Sequence, residues 1–472
     1  MDEWLVRARK HRPARTALID ARSDRHWSYR ELSAWAEEIA SLLRDRGVDP
    51  GDPVGLLATR HPLTIASLWG VFRAGGILVP LPPEGPDAEI RSRSDRAGAG
   101  ILLDPAAGDR RLPEVRRRSR GSPPNWVGDA HHPIDRPQVV LFTSGTTGAP
   151  TGVRLTGRNL GASAASTVAR VGAGPEARWF LDLPLYHAGG LSIPVRTAML
   201  GATTVLNPAF DAEESARRMR EYEVSGVSLV PTMLDRLLGG HGLPSRLDFT
   251  LVGGAQTSPA LVERALDAGV PIYATYGMTE TASGIATATP SELRERPDTV
   301  GRPVRAAQVS ILAEDDRPVG PETVGEIAVS GPLVSPGTVD GGKRPPGTPF
   351  QTGDRGYFTP EGQLVVTGRV DEMIVTGGEN VSPREVEAAL RRLEGIEAAA
   401  VVGLPDATWG ERVIAAVRTT GSGPLGTEEV RTQLRGRLAD HKLPKAVHVL
   451  DSLPRTPSGT VDRETLRERL RD

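Results

Sequence analysis

A run of hydroxyl-bearing residues and glycines is the first stretch of the chain that could bind phosphate. It comprises Thr143, Ser144, Gly145, Thr146, Thr147 and Gly148. Glycine lets backbone N–H groups turn toward an anion, and the hydroxyls are neutral donors. The lysine-containing pattern of a Walker loop, G-x-x-x-x-G-K-[ST], is absent. The run therefore indicates phosphate binding without a loop lysine, with an ordinary Ser/Thr/Gly surface turn as the alternative.

Five further motifs follow this loop, and several contain residues suited to holding a nucleotide or a metal ion. They are GGA (253–255), YGMTE (276–280), TGD (352–354), GRVDEMIVTGGENVSPREVE (368–387) and LPRTPSGTVDR (453–463). Taken singly, each has an ordinary explanation, such as a Thr-Glu pair at the surface, a core tyrosine or an aspartate in a tight turn. Their occurrence together in one chain needs a common explanation.

Composition narrows the class of protein. The chain has 472 residues, 38% of them hydrophobic and 25% charged, and its net charge is −2. This length predicts two or more domains, and the small net charge gives no sign of a nucleic-acid or anionic-membrane surface. No apolar run approaches the roughly 18 residues of a membrane span, and the first residues lack the apolar core of a secretion signal. The absence of cysteine excludes disulfides and thiolate sites and favours a cytoplasmic location.

The elements that must position these motifs alternate between helix and strand over the N-terminal part. SYRELSAWAEEIASLLRDRG (28–47) starts with a capping box of Ser28 and Glu31, and Gly47 can end the helix. Short apolar segments such as PVGLLA, GILVPL and FTLVGGA resemble buried strands. The alternation predicts an α/β fold with helix-flanked parallel sheets, followed by a strand-rich section from about residue 300.

A second, smaller domain of α+β type is predicted at the C-terminus. The segment SPREVEAALRRLEG places Ser382 at an N-cap, Pro383 at the first helical position and Glu385 where it completes a capping box. Strand-like AAAVVGL, RVIAAV and AVHVL follow it. We predict an N-terminal domain of residues 1–368 and a C-terminal domain of residues 369–472.

The loop and the five motifs, in this order, resemble the acyl-adenylate-forming superfamily, which includes acyl-CoA synthetases, luciferases and the adenylation domains of peptide synthetases. The resemblance covers essentially the whole chain. It implies that a carboxylate attacks the α-phosphate of MgATP to give acyl-AMP and pyrophosphate. A nucleophile, usually the thiol of coenzyme A, then displaces AMP. ATP, Mg²⁺ and CoA are therefore the expected cofactor and co-substrates, and the C-terminal domain is expected to be a mobile lid.

The resemblance also implies a role for each matching residue in nucleotide binding and catalysis. Glu280 would bind Mg²⁺, and Thr279 would donate to the α-phosphate. Asp354 would accept from both ribose hydroxyls, and Arg369 would donate to the same sugar. The other residues that would bind ATP or AMP are Tyr276, Gly254, Ala255 and Gly277, together with the loop residues Thr143, Ser144, Gly145, Thr146, Thr147 and Gly148.

Two further sets of residues concern the lid and CoA. Asp371 falls at the family's hinge. Gly377 and Gly378 match the loop that approaches the pantetheine arm of CoA, where a narrow tunnel leaves no space for a Cβ atom.

The acyl-binding stretch PLYHAGGLSI (184–193), like TGGENVSP (376–383), looks most like the o-succinylbenzoate–CoA ligases of menaquinone synthesis. His187 matches the position that borders the acyl pocket and is also assigned to catalysis, and Gly277 would line the substrate site. Arg196 would meet a second carboxylate of the acid. The alternative is that Arg196 pairs with a neighbouring helix.

Two departures from the family pattern put the rate of adenylation in doubt. Thr151 stands where the family has its loop lysine, and Thr460 stands where it has the lysine of the small domain. Loss of a charged contact to the transition state costs several kcal/mol, on the order of 3. Four cations lie near Thr460 in sequence and could substitute for the second lysine: Arg455, Arg463, Lys442 and Lys445.

Two other interpretations stay open. The enzyme could pass its adenylate to a non-CoA nucleophile such as an amine, or the chain could be a catalytically impaired nucleotide-binding relative. The sequence also leaves open a homo-oligomer.

Overall fold

The computed structural model describes residues 2–107, 112–117, 133–143, 150–240, 242–341, 343–345, 347–370, 372–376, 379–406, 409–420, 426–435, 437–438, 440–456 and 460–471. The chain divides into two compact units. The first comprises residues 1–309 and 329–350, and the second comprises residues 310–328 and 351–472. Among the helices of the described segments, none has both the length and the apolar character that crossing a bilayer requires.

The strands and helices are numbered in chain order. The strands of the first unit are β1 (Thr16–Asp20), β2 (Arg25–Ser28), β3 (Pro53–Leu57), β4 (Ile77–Leu81), β5 (Ile101–Asp104), β6 (Glu114–Arg117), β7 (Pro137–Thr143), β8 (Thr151–Thr156), β9 (Arg178–Leu181), β10 (Thr203–Leu206), β11 (Gly226–Leu229), β12 (Phe249–Val252), β13 (Ile272–Met278), β14 (Ser283–Ala288) and β15 (Arg302–Pro303). Its helices are α1 (Asp2–His11), α2 (Tyr29–Asp45), α3 (Pro62–Arg73), α4 (Asp87–Ala97), α5 (Gly157–Val171), α6 (Ala188–Leu200), α7 (Ala212–Glu221), α8 (Pro231–Leu238), α9 (Pro259–Asp267) and α10 (Pro290–Glu295).

The remaining elements follow. The strands are β16 (Gln308–Leu312), β17 (Gly325–Ser330), β18 (Phe350–Phe358), β19 (Leu364–Arg369), β20 (Ile374–Thr376), β21 (Glu379–Val381), β22 (Ile396–Asp406), β23 (Gly410–Thr419) and β24 (Ala446–Val449). The helices are α11 (Pro383–Leu390), α12 (Thr427–Leu434) and α13 (Arg463–Arg469).

Two mostly parallel sheets form the first unit. One has nine strands in the order β15-β14-β13-β12-β11-β9-β10-β1-β2, and the other has six in the order β6-β5-β3-β4-β7-β8. Pairing is parallel from β13 through β1 and among β5, β3, β4 and β7, and antiparallel at the ends of both sheets. Interior strands such as β3 and β4 are buried along their whole length, as strands covered on both faces must be. The predicted fold class is confirmed.

Helix α2 shows how local sequence sets one of these elements. Ser28 Oγ accepts from the Glu31 N–H at 3.2 Å, and the Ser28 N–H donates to the Glu31 carboxylate at 2.7 Å. This is the predicted capping box. The side chains of Trp35, Ile39 and Leu43 are buried on one face of the helix, at the spacing of an amphipathic helix.

The second unit contains a four-stranded sheet, β16-β17-β18-β19, and a five-stranded sheet in which β21-β20-β23-β22 are joined by β24 on β23. The capping box predicted at Ser382 does not form: Ser382 Oγ donates to the Thr367 carbonyl at 2.9 Å, and Glu385 pairs with Lys442. Residues 351–369 group with the C-terminal residues in one compact unit. This division reflects how the residues pack, and it does not say which residues move together as a domain. The domain boundary at residue 368 therefore stays a prediction.

Candidate active site

The parallel strands β9, β11, β12 and β13 bring several predicted site residues to one edge of the nine-stranded sheet. Leu251 of β12 pairs with Tyr273 of β13, and both strands run in the same direction. The carboxyl ends of parallel neighbours meet at the same edge, where ligands bind in α/β sheets. The segment after β12, which holds Gly254 and Ala255, therefore lies beside the end of β13, which carries Tyr276.

The turn that follows β13 holds Thr279 and Glu280 in a fixed position. The Met278 N–H donates to Thr281 Oγ1 at 3.2 Å, and that hydroxyl donates to the Ser283 carbonyl at 2.8 Å. Both Thr279 and Glu280 are half-buried. A carboxylate presented on such a braced turn suits a metal ion that needs few protein ligands and strict geometry.

Glycine is required at position 277 because two backbone segments approach each other closely there. A Cβ atom at this position would lie 1.9 Å from the Ser283 carbonyl oxygen, so no other residue fits without moving the backbone. Ser283 itself has φ 130 and Ala282 has φ 54, both in the left-handed region that side chains disfavour. Such strain persists only where the surrounding structure enforces it, and it often marks a functional turn.

The residues predicted to bind ATP or AMP are divided between the two compact units. Gly254 and Ala255 are exposed, and Tyr276 packs its ring against a buried cluster that includes Ile285 and Val304. These residues belong to the first unit.

In the second unit, Asp354 of β18 and Arg369 of β19 are direct cross-strand partners, with a carboxylate oxygen of Asp354 3.5 Å from Arg369 Nη1. Asp354 is buried, whereas Arg369 is half-buried. This arrangement could present one acceptor and one donor group to the same sugar.

His187 is the N-cap residue of α6, but its side chain makes no capping hydrogen bond. Its ring is accessible to solvent and lies against Tyr186, with ring centroids 4.6 Å apart. Desolvation by the surrounding protein, together with the positive charge of Arg93, lowers the pKa of His187 below its ordinary value. The imidazole is therefore neutral at physiological pH and suits a pocket wall better than a charged contact.

Arg196 is a fully buried cation whose partners among the described residues are neutral. Its Nη2 donates to Thr167 Oγ1 at 3.3 Å and to Ser283 Oγ at 3.2 Å, and its guanidinium carbon lies 5.2 Å from the centre of the Trp179 ring. Among the described residues, no carboxylate lies within ion-pair distance of it, and its Nε is buried without a hydrogen-bond partner. Burial lowers the pKa of Arg196 to about 9.

The alternative for Arg196 is that it pairs with a neighbouring helix. The structure shows a hydrogen bond to such a helix but no ion pair among the described residues. Thr167 does belong to the neighbouring helix α5, but it offers a hydroxyl and no charge. A buried charge normally has a counter-ion, because desolvation is costly. The site therefore suits an anion supplied by a ligand, and the hydrogen bond to Ser283 connects Arg196 to the segment that follows the Glu280 turn.

Several predicted residues lie outside the described residues. These are Ser144, Gly145, Thr146, Thr147, Gly148, Asp371, Gly377 and Gly378. At the edge of the phosphate loop, Thr143 and Thr151 are direct partners across β7 and β8, and Thr143 Oγ1 donates to the Thr151 carbonyl at 3.4 Å. The roles of the loop, hinge and CoA residues stay predictions.

Thr460 pairs with Thr456 in the second unit, where the Thr456 N–H donates to the Thr460 carbonyl at 2.8 Å. Its hydroxyl is 2.7 Å from that of Thr456, while Arg455 forms an isolated antiparallel bridge with Val461. Arg455 is exposed, and its backbone takes part in this pairing.

The other three cations near Thr460 in sequence are engaged within the second unit. Arg463 Nη2 donates to the buried Glu387 carboxylate at 2.6 Å. Lys442 Nζ pairs with Glu385 at 2.8 Å. Lys445 Nζ lies 4.9 Å from the centre of the Trp409 ring. In this arrangement each of the three already has a structural contact, so none is an obvious substitute for the small-domain lysine.

Arg463→Ala is expected to destabilise the second unit by about 3 kcal/mol, because it leaves a buried carboxylate without its partner. Burial already raises the pKa of Glu387, and Arg463 opposes that shift. Without Arg463 the folded state would hold a proton that the unfolded state releases. The destabilisation should therefore grow as pH rises through the pKa of Glu387 in the folded wild type, which lies above 4.5, and thermal unfolding should show a larger loss near pH 8 than near pH 5.

Arg463→Met combined with Glu387→Leu is the matched control for this prediction and should recover most of the stability. An equal loss at both pH values would contradict the assignment of the effect to Glu387.

Comparison with known proteins agrees with this geometry. Residues 5–338 match the family described as AMP-binding enzyme, and residues 385–460 match the AMP-binding enzyme C-terminal domain. The chain belongs to the AMP-binding enzyme family, and the predicted superfamily is confirmed.

Individual relatives are similar over their full length. The chain is 32% identical over 484 residues to a 2-succinylbenzoate–CoA ligase of Bacillus licheniformis, covering 98% of each sequence. It is 32% identical over 496 residues to a feruloyl-CoA synthase of Amycolatopsis, covering 99% of each. The structure of o-succinylbenzoate CoA synthetase from Bacillus subtilis in complex with the acyl-adenylate intermediate OSB-AMP superposes with a TM-score of 0.85 at 29% identity, covering 99% of this chain and 98% of that one. The same enzyme with ATP and a magnesium ion gives a TM-score of 0.85 at 29% identity, covering 99% of both chains.

Proposed function

We propose that this protein is an ATP-dependent, AMP-forming acid–CoA ligase whose substrate is an aromatic acid with a second carboxylate, with o-succinylbenzoate as the first candidate. The observation that carries the choice of acid is Arg196, a fully buried guanidinium with neutral partners next to the Tyr276–Glu280 segment. The full-length similarity to 2-succinylbenzoate–CoA ligases supports the same choice and suggests a place in menaquinone synthesis.

In the first half-reaction, a carboxylate oxygen of the acid attacks the α-phosphate of ATP, the bond to the β-phosphate breaks, and pyrophosphate leaves with acyl-AMP remaining. Arg196 would bind the distal carboxylate and so fix the acid for in-line attack. Thr279 would donate to the α-phosphate as its charge develops. Glu280 would hold Mg²⁺, which neutralises phosphate charge when bound.

In the second half-reaction, the CoA thiolate attacks the acyl carbonyl and AMP leaves. Asp354 and Arg369 would keep the ribose of AMP in place during this step. We place the hinge of the C-terminal lid at Asp371 and the CoA contact at Gly377 and Gly378, with the domain boundary at residue 368. Neutral His187 would form part of the wall of the acyl pocket.

The missing lysines favour a second candidate function. Threonine at positions 151 and 460 removes two cations, and three of the four cations near Thr460 in sequence already have contacts of their own. Adenylation could therefore be slow, and the adenylate could pass to a non-CoA nucleophile such as an amine. If adenylation were lost altogether, the chain would be a nucleotide-binding protein with impaired catalysis.

The test is release of AMP and pyrophosphate from MgATP with a panel of aryl acids, with and without CoA, for the wild type and for Thr460→Lys. AMP that depends on both the acid and CoA would support the ligase. AMP that needs the acid but not CoA would favour another acceptor. Activity confined to Thr460→Lys would mean that the wild-type chain has lost catalysis.

The cellular setting is part of the same proposal. We infer a cytoplasmic enzyme because its substrates, ATP and CoA, are cytoplasmic metabolites and the chain has no cysteine. The sequence leaves a homo-oligomer open, and light scattering on the purified protein would measure its oligomeric state.

A further inference from the structure

Residues 335–341 and 343–344 form a hairpin after β17. This hairpin packs beside β8, the strand that carries Thr151. The Val339 N–H donates to the Gly152 carbonyl at 2.8 Å, and the Arg154 N–H donates to the Gly337 carbonyl at 3.0 Å. A Cβ atom on Gly152 would lie 2.8 Å from the Val339 side chain, so the two segments are in close contact. The hairpin is thereby fixed along β8, one residue from the position where the family has its loop lysine.

The same hairpin is joined to the turn that carries Glu280. The Ser335 N–H donates to the Glu280 carbonyl at 2.7 Å, and Ser335 Oγ donates to the Arg154 carbonyl at 2.7 Å. Ser335 therefore connects the metal-binding turn to β8. Asp340 at the far end pairs with Arg96 of α4. The hairpin is held at both ends and is not a loose surface loop.

Arg344 closes this hairpin beside Pro336, which follows the residue that contacts the Glu280 turn. Its N–H donates to the Pro336 carbonyl at 2.8 Å, and its guanidinium carbon lies 4.4 Å from the centre of the Phe350 ring. Desolvation lowers the pKa of Arg344, and the Glu280 carboxylate opposes that shift. The neighbouring Lys343, which pairs with Gly337 across the hairpin, is exposed.

The charge on Arg344 has no carboxylate bound to it within ion-pair distance among the described residues. Its Nε is buried and lacks a hydrogen-bond partner there. Stacking on Phe350 orients the planar guanidinium, whose donors match phosphate oxygens. The group is therefore arranged to receive an anion next to a carboxylate that would carry Mg²⁺.

We propose that Arg344 supplies the positive charge for the β- and γ-phosphates of ATP that Thr151 cannot supply. This inference rests on the proposed function, because it assumes that ATP binds at the Glu280 turn. The cation would come from this hairpin and not from the phosphate loop. This role of Arg344 would explain how the phosphate loop can still bind a triphosphate with threonine at the lysine position.

The first test compares the binding of ATP and AMP to the purified full-length protein by calorimetry in the presence of Mg²⁺. Arg344→Ala should weaken ATP binding by about 10- to 100-fold and leave AMP binding unchanged, because AMP lacks the β- and γ-phosphates. Lys343→Ala, the matched control, should affect neither ligand. Arg344→Lys should retain part of the ATP affinity.

The second test is rescue by the family residue. Thr151→Lys in the Arg344→Ala background should recover most of the lost ATP affinity and should add little to the wild type. A merely structural Arg344 would weaken ATP and AMP together and would not be rescued by a lysine on β8.

The outcomes separate this inference from the proposed function. If the wild type binds neither ATP nor AMP, the proposed function fails. If the wild type binds both, and Arg344→Ala binds ATP as tightly as the wild type, the role of Arg344 is wrong while the ligase proposal stands. Equal weakening of ATP and AMP also overturns the role.

Discussion

Glu280→Gln is expected to lower acid-dependent AMP formation by roughly 100- to 1,000-fold, because it removes the carboxylate proposed to hold Mg²⁺ against the phosphates. Glutamine keeps the size of the side chain, and the turn is held by backbone and Thr281 contacts that do not involve this carboxylate. The fold should therefore survive. Pyrophosphate release at saturating acid and ATP measures the effect, and a rise in the Mg²⁺ concentration needed for half-maximal rate should accompany it.

Glu263→Gln is a suitable control for this prediction, since Glu263 is an exposed carboxylate on α9, away from the predicted site residues. It should leave both the rate and the Mg²⁺ requirement unchanged. A wild-type rate for Glu280→Gln at ordinary Mg²⁺ concentrations would place the metal on another residue. It would also remove the reason for expecting Arg344 to face bound phosphate.

Features that depend on neighbours in sequence could be predicted from the sequence. The box at Ser28 and Glu31 forms because both partners lie within one helical turn. The strands at β3 and β4 were recognisable because strands buried on both faces are apolar throughout. The family motifs located the turn at Glu280, which the structure then explains through the contact of Gly277 with Ser283.

Features that depend on tertiary contacts could not be predicted in the same way. Ser382 has the sequence of a capping box, yet its hydroxyl is taken by the Thr367 carbonyl, and Glu385 is taken by Lys442. Arg463 lies three residues from Thr460, but its charge is used by a carboxylate 76 positions away. Nearness in sequence to a missing lysine was therefore a poor guide to a substitute cation.

Arg344 is the opposite case, because it is far from the phosphate loop in sequence but lies in a hairpin that packs beside β8. It lies in a Gly- and Pro-rich segment, GGKRPPGTP (341–349), that gives no signal beyond a loop. Only the hydrogen bonds from the hairpin to Gly152 and to Glu280 place it near the phosphate-binding part of the chain. The two lysine replacements thus differ in kind: a hairpin that carries a cation packs along the strand of the first, whereas three of the four cations near the second in sequence already have contacts of their own.

Arg196→Met is expected to lower kcat/KM for o-succinylbenzoate by roughly 100- to 1,000-fold, because it removes the buried group proposed to bind the second carboxylate. Activity with benzoate, which has no second carboxylate, should change little. Methionine occupies a similar volume and removes a charge that has no carboxylate partner among the described residues, so thermal stability should be equal to or higher than that of the wild type.

This combination of lost specificity and retained stability separates a substrate-binding arginine from a structural one. A structural Arg196 that ties α5 to β14 through Thr167 and Ser283 would lower the unfolding temperature when replaced, and activity with both acids would fall together. Arg178→Met provides the matched control, since Arg178 is a half-buried arginine in β9 that donates to the Tyr222 carbonyl at 2.8 Å, away from the predicted site. If Arg196→Met changes the ratio of activity with o-succinylbenzoate to activity with benzoate no more than Arg178→Met does, the second carboxylate binds elsewhere and the choice of o-succinylbenzoate loses its structural support.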